Sequence, residues 1–149
     1  MNPKHRKATF DDSERLCQLR RQSILELAPR GMALAEAELW ANKMTVESME
    51  QKIRESEVWI AEMNDTIVGW VAVRGDYLDG LYVGPQFERR GIGSELLSWA
   101  EELARRSGVQ VLRADASSNA EEFYFRRGYE PAGPRPPDGA RPIVKRMHI

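Results

Sequence analysis

The stretch Leu81-Tyr-Val-Gly-Pro-Gln-Phe-Glu-Arg-Arg-Gly-Ile-Gly-Ser94 decides the fold, because in it a short apolar strand runs into a basic glycine turn that opens a helix. Leucines and alanines then recur at the spacing of one helical face up to Gly108, which is a typical helix stop. Gly91 and Gly93 have no side chains that would keep a ligand away from the backbone. The first N–H groups of such a helix attract an anion, so this turn predicts an anion site.

The spacing of the glycines narrows the choice of anion. A Walker phosphate loop needs Lys-Ser or Lys-Thr after its last glycine, whereas Gly93 is followed by Ser94 and Glu95. A dinucleotide fingerprint needs a third glycine at the position that Leu96 occupies. An isolated Gly-x-Gly is more often only a tight strand-to-helix turn, and it does not establish a ligand site by itself.

Two longer motifs carry more information than the glycines alone. The pattern Val83-x-Pro-x-x-x-Arg-Arg-Gly-Ile-Gly-Ser-x-Leu-Leu97 resembles the acetyl-CoA signature of the GNAT superfamily of N-acetyltransferases, with its core Gln/Arg-x-x-Gly-x-Gly/Ala. The later stretch Asn119-Ala-Glu-Glu-Phe-Tyr-Phe-Arg-Arg-Gly-Tyr129 is similar to a second motif of that family, one helix and one strand further on. The resemblance covers residues 58–130 well and the ends of the chain in outline.

The resemblance implies that acetyl-CoA is the cosubstrate. It also implies that Leu81 to Val83 pair with the pantetheine arm, that the Val83 N–H faces the thioester oxygen, and that the glycine turn holds the pyrophosphate. Glu88 departs from the family pattern, and its carboxylate should weaken binding modestly by repulsion. The residues expected to bind the cofactor are Leu81, Tyr82, Val83, Arg89, Arg90, Gly91, Ile92, Gly93, Ser94, Asn119 and Phe123.

Two residues are predicted to be catalytic. Tyr124 matches the tyrosine that protonates the coenzyme A thiolate in many members of the family, although it could instead belong to an aromatic helix face. A phenol of pKa about 10 can donate to a thiolate of pKa about 8.5. Asp79 is the candidate general base, directly or through water, because Tyr77 stands where some relatives carry a glutamate. No dedicated base is required if the amine loses its proton to solvent.

Composition limits the functional classes. The 149 residues, 42% of them hydrophobic, predict one domain over 1–149, and the net charge of −1 does not favour nucleic-acid binding. Cys17 is the only cysteine, and His5 and His148 stand near opposite ends, so no metal site is expected. No signal core or membrane-length apolar run is visible, which predicts a cytoplasmic protein without membrane attachment.

Periodicity and turn residues predict an α/β chain with a mixed, mostly antiparallel GNAT-like sheet and helices on both of its faces. The strand at 76–83 should place Tyr77, Asp79, Leu81 and Val83 on one face. The predicted strands are 4–9, 58–63, 66–73, 76–83, 109–116, 129–132 and 142–149; the predicted helices are 9–27, 32–44, one capped by Thr45, one opening at the glycine turn, and one capped by residues 117–119.

The acceptor is expected to be an amine of a small molecule or a peptide. By position, Ile24, Trp40 and Met44 are candidate acceptor contacts, with core packing as the alternative. A homodimer through residues 143–149 is expected if the edge of that strand is exposed. Two other functions stay open: a non-catalytic module that binds or senses acyl-CoA, and a nucleotide-binding domain of unrelated chemistry.

Overall fold

A seven-stranded sheet forms the middle layer of the computed structural model, which describes residues 3–27, 33–137 and 139–147. The predicted edge strand, hairpin and helices are all present among these residues. In chain order the elements are β1 (Lys4–Lys7), α1 (Ser13–Leu27), α2 (Leu34–Ala41), α3 (Val46–Glu55), β2 (Glu57–Met63), β3 (Thr66–Arg74), β4 (Tyr77–Val83), α4 (Ile92–Arg106), β5 (Val111–Ala116), α5 (Glu121–Phe125), β6 (Glu130–Pro131) and β7 (Arg141–Arg146).

The strand order is β1-β2-β3-β4-β5-β7-β6. Every neighbouring pair is antiparallel except β4 and β5, which are parallel, so the predicted mixed and mostly antiparallel sheet is confirmed. The helix α4 provides the crossover that a parallel pair requires.

Local sequence accounts for the ends of several elements. Asn64 and Asp65 both have positive φ, which is the backbone of a two-residue hairpin turn. Thr45 caps α3, since its Oγ1 accepts a hydrogen bond from the Ser48 N–H at 3.1 Å. Gly108, with a φ of 88°, ends α4 in the left-handed conformation. These three predictions from the sequence are confirmed.

Helices cover both faces of the sheet. On one face α4 buries Leu96 and Leu97 against strand residues such as Val71. On the other face α1 and α3 bury Leu16 and Met49 against the inner strands. Burial of this apolar surface, at about 25 cal/mol per Å², is the main force that holds the layers together.

A β-bulge in β4 interrupts the regular alternation of side chains that the sequence predicted for this strand. Ala72 pairs with Gly80 and the next residue, Val73, pairs with Leu78, so Asp79 is an extra residue in β4. The side-chain alternation therefore shifts by one, and Leu78 shares the α4-side core with Leu81 and Val83. The expectation that Tyr77, Asp79, Leu81 and Val83 lie on one face of a regular strand is wrong.

Other differences concern the ends of elements. The N-cap of α5 is Ala120, with no side-chain hydrogen bond, rather than the polar run 117–119; the Ser117 carbonyl instead accepts the N–H groups of Ala120 and Glu121. Met32 and residues 148–149 of the predicted elements lie outside the described residues. In β7, Ile143 and Val144 pair with β5 on one side and β6 on the other, so the edge there is covered.

Candidate active site

The parallel strands β4 and β5 separate soon after they meet. Their pairing is confined, within the described chain, to Tyr77 with Arg113. Further along, the Gly84 N–H donates to the Val68 carbonyl of β3 at 2.8 Å. Because N–H groups alternate in direction along a strand, the N–H of Val83 points away from β3 and into the gap. The gap therefore offers strand-like hydrogen bonding to an extended ligand.

The glycine turn lies at the end of this gap. Arg89 and Gly91 both have left-handed backbone, with φ of 64° and 80°, and α4 starts at Ile92. The first helical hydrogen bond runs from the Glu95 N–H to the Gly91 carbonyl at 3.1 Å, so the preceding N–H groups are the ones a helix start leaves for a ligand.

Gly93 keeps the turn open. A Cβ added at this glycine would lie 3.5 Å from the Phe123 ring and 3.6 Å from Val83 Cγ2, and would fill the space between the turn and these side chains. The turn thus has the cradle shape that a pyrophosphate requires. It fits the phosphates of acetyl-CoA.

The side chains of the predicted cofactor residues point in different directions. Ile92 is buried in the core, so only its backbone can contact a ligand. Arg89 and Arg90 are exposed, and the Arg90 guanidinium lies over the Phe87 ring at 5.5 Å. Tyr82 points to the face of the sheet that α1 and α3 cover, where the centre of its ring lies 5.1 Å from that of Trp70.

Arg127 is a component of the site that sequence reasoning missed. Its guanidinium stacks on the Phe123 ring at 3.8 Å, and its Nε and Nη2 donate to Ser94 Oγ at 2.9 and 2.5 Å. The contact brings a cation to the first turn of α4, where an anion is expected. The available signal was spacing, since Arg127 follows Phe123 by four residues in the later motif.

Tyr124 faces a cavity of about 290 Å³ that lies beside the gap and that Asp79 and Tyr82 also line. The Tyr124 side chain is 8% exposed and packs edge-to-face against the rings of Phe123 and Tyr129. Burial, and to a smaller extent the neighbouring phenols, raises the pKa of Tyr124 well above its usual value. Its hydroxyl therefore stays protonated at neutral pH and can donate a hydrogen bond.

Both carboxylates at this cavity have partners. Asp79 Oδ2 accepts a hydrogen bond from Lys52 Nζ at 2.6 Å, which joins β4 to α3. Asp115 Oδ2 accepts one from the Tyr77 hydroxyl at 2.7 Å. Burial, followed by this hydrogen bond, raises the pKa of Tyr77. Sequence reasoning did not identify Lys52, because it lies 27 residues before Asp79 in the chain.

The candidate acceptor contacts separate into two groups. Trp40 and Met44 line the cavity, whereas Ile24 is buried in the core between α1 and α2. Asn119 lies in the turn before α5, where its Oδ1 accepts a hydrogen bond from Ser117 Oγ at 2.6 Å. Arg20 also lines the cavity and was not predicted, although it occupies the buried face of α1 with Leu16 and Leu19.

Two kinds of feature are absent from residues 3–27, 33–137 and 139–147. These residues contain no group of three or more His, Cys, Asp or Glu placed to hold a metal ion. None of the helices in that part of the chain combines the length and the apolar character needed to cross a membrane.

The chain is similar in sequence and in fold to known N-acetyltransferases. Residues 22–138 match the family model described as an acetyltransferase (GNAT) domain. The uncharacterized N-acetyltransferase YafP of Escherichia coli K12 is 29% identical over 119 residues, or 80% of this chain and 75% of that protein. The S-(2-succino)cysteine N-acetyltransferase of Bacillus subtilis 168 is 26% identical, over 89% and 87% of the two chains. A GCN5-related N-acetyltransferase from Rhodopseudomonas palustris superposes with a TM-score of 0.92 at 25% identity, covering 99% of this chain and 97% of that one.

Proposed function

Because the chain belongs to the acetyltransferase (GNAT) domain family, we propose that this acetyl-CoA-dependent N-acetyltransferase transfers the acetyl group directly to a primary amine in a ternary complex. One observation carries the proposal: the gap between β4 and β5 adjoins both the glycine turn and the cavity that contains Tyr124. A donor held by its phosphates and a separate acceptor can therefore approach each other from two sides.

In this proposal the backbone around Gly91 and Gly93, with Arg127 beside it, holds the pyrophosphate of acetyl-CoA. Phe123 lines the same turn. Asn119, in the loop before α5, is proposed to contact the cofactor as well. The Val83 N–H donates to the thioester oxygen and stabilises the negative charge that develops there during attack. Arg89 and Arg90 add charge from the exposed side of the turn.

The reaction forms one bond and breaks another. The neutral amine nitrogen attacks the acetyl carbon, an amide forms, the C–S bond breaks, and the amine loses one proton while the thiolate gains one. Tyr124, whose buried phenol has a raised pKa and therefore carries its proton before the attack, donates to the departing thiolate. Asp79 accepts the amine proton, directly or through water. Its Oδ2 is already bonded to Lys52, which leaves Oδ1 for this role.

The acceptor in this proposal is a small amine or the end of a peptide. A cavity of about 290 Å³ accommodates a group of amino-acid size. The Bacillus subtilis relative is named for acetylation of a cysteine derivative, which supports an acceptor of similar size. Cytoplasmic location stays a prediction from the sequence. So does a homodimer, but not through the edge at Ile143 and Val144, which β6 covers.

Calorimetric titration of the protein with acetyl-CoA, with coenzyme A and ADP as controls, tests donor binding. Acetyl-CoA should bind more tightly than ADP, since ADP lacks the pantetheine arm that the gap accepts. A panel of primary amines should then release free thiol, measured by a colorimetric reagent. Cofactor binding without thiol release across the panel would favour the non-catalytic acyl-CoA-binding module, and equal binding of ADP and acetyl-CoA would contradict both functions.

A further inference from the structure

Arg20 is a buried cation in the wall of the cavity of about 290 Å³ that Tyr124 lines, called the acceptor cavity from here on. It lies in α1 and is 5% exposed. Its Nε donates to the Tyr82 hydroxyl, Nη1 to the Ala41 carbonyl and Nη2 to the Trp40 carbonyl, each at 3.3 Å. The guanidinium also lies over the Tyr82 ring at 5.5 Å.

None of these three hydrogen-bond acceptors carries a charge. Burying a guanidinium is unfavourable unless an anion compensates it, and proteins rarely retain such a group without a carboxylate or a ligand. A guanidinium has five N–H donors. Within the described part of the chain, the three hydrogen bonds leave one N–H on Nη1 and one on Nη2, which is the number that a carboxylate accepts in two-point pairing.

The other charged side chains around Arg20 balance one another, so they supply no net negative charge to compensate it. The cavity adjoins a second one of about 300 Å³, and Arg20, Met44, Lys52 and Asp79 line both. Lys52 and Asp79 neutralise each other at 2.6 Å, so their pair does not compensate Arg20. The charged side chains around the two cavities are Arg20, Lys43, Lys52 and Arg74 against Glu55, Asp79 and Asp115.

We propose that Arg20 binds a carboxylate of the acceptor, so that the acceptor is an amino-acid-like molecule carrying both a primary amine and a carboxylate. This inference rests on the proposed acetyl transfer for the identity of the ligand as an acceptor. Arg20 holds the anionic end at the wall formed by α1 and α2. The amine end is then directed to the side of the cavity where Tyr124 lies.

The test compares matched amines that differ only in the carboxylate. The pairs are lysine with cadaverine, phenylalanine with phenethylamine, and β-alanine with ethylamine; 2-aminoethylphosphonate serves as a tetrahedral anion. Thiol release gives kcat/KM for each. Calorimetry with the complex of protein and coenzyme A gives binding without turnover, so the preference is measured even if no amine is acetylated.

At least one carboxylate-bearing amine should be preferred by about tenfold to hundredfold over its partner, as expected for hydrogen bonds to a charged group. Arg20→Met should abolish that preference, Arg20→Lys should retain part of it, and both should bind acetyl-CoA like wild type. Arg21→Met removes a charge from the exposed side of the same helix and should keep the preference.

Three results would overturn the inference. Equal use and equal binding of all pairs by wild type would show that no anion site exists. If Arg20→Met lowered kcat/KM equally for both members of each pair, the role of Arg20 would be to hold α1 against α2. If the protein preferred the phosphonate to β-alanine, Arg20 would be assigned to a site for a tetrahedral anion and not for a planar carboxylate. Selective carboxylate binding without thiol release would uphold the anion site while contradicting acetyl transfer.

Discussion

Lys52 Nζ lies 2.6 Å from Asp79 Oδ2, so a cation on α3 holds the carboxylate of the bulged residue in β4. Lys52 also donates to the backbone carbonyl of Asp79 at 3.1 Å. The two bonds fix both the side chain and the local backbone. The bulge thereby aims a carboxylate at the acceptor cavity from the strand that borders the donor gap.

Asp79→Asn should lower kcat/KM about 10²-fold near neutral pH if Asp79 accepts the amine proton. The loss should shrink at high pH, because more of the acceptor amine is then already neutral. A pH profile of kcat/KM for wild type and variant measures this. Lys52→Met is the companion variant: a loss in Asp79→Asn that is independent of pH and equal to that of Lys52→Met would assign the pair a structural role.

Tyr124→Phe should lower kcat about 10²-fold with little change in the dissociation constant of acetyl-CoA, since only the donor to the thiolate is removed. Steady-state kinetics and calorimetry measure the two quantities. Tyr129→Phe is the matched control, because its hydroxyl donates to Glu101 at 2.7 Å within the core rather than to the cavity. An unchanged kcat in Tyr124→Phe would remove the acid role.

Gly93→Val should weaken acetyl-CoA binding by more than tenfold, because its Cβ would begin 3.5 Å from the Phe123 ring and its methyl groups would fill the phosphate cradle. Ser98→Val on the exposed side of α4 introduces the same residue into the same helix and should bind normally. Calorimetric titration of both variants measures the difference. Similar affinities for the two would place the phosphates elsewhere.

Asp12→Asn should destabilise the protein at neutral pH by about 1 kcal/mol after allowance for solvent screening. The hydrogen-bonded Arg6 guanidinium, chiefly, lowers the pKa of Asp12 in the folded state. Because the pKa of Asp12 is lower in the folded than in the unfolded state, its ionised form stabilises the protein at any pH above the unfolded pKa of about 3.9. This stabilisation is lost as the pH falls through the folded pKa. Urea unfolding of both proteins should therefore show a difference that is constant from neutral pH to about pH 5 and vanishes on further acidification. A constant difference down to pH 2 would contradict this linkage.

Much of the fold could be predicted because its signals are local. The apolar spacing after Gly93 predicted α4, Asn64 and Asp65 predicted the hairpin, and Thr45 predicted the start of α3. Each depends on residues within a few positions of one another. Local sequence did not reveal the bulge at Asp79, since it depends on the register of β4 against β3 and not on the residues of β4 alone.

The residues of the candidate site likewise fall into those that local sequence predicted and those that only the tertiary structure revealed. Two motifs in the sequence, around Gly91 to Ser94 and around Phe123 and Tyr124, identified the turn and the later helix, because each is a continuous segment whose backbone conformation its own residues dictate. Only the tertiary structure brought in Arg20, Lys52 and Arg127, whose partners Tyr82, Asp79 and Ser94 lie 62, 27 and 33 residues away. Their proximity arises when α1 and α3 pack on β4 and when the end of α5 packs on α4, and packing of that kind leaves no short-range pattern in a sequence.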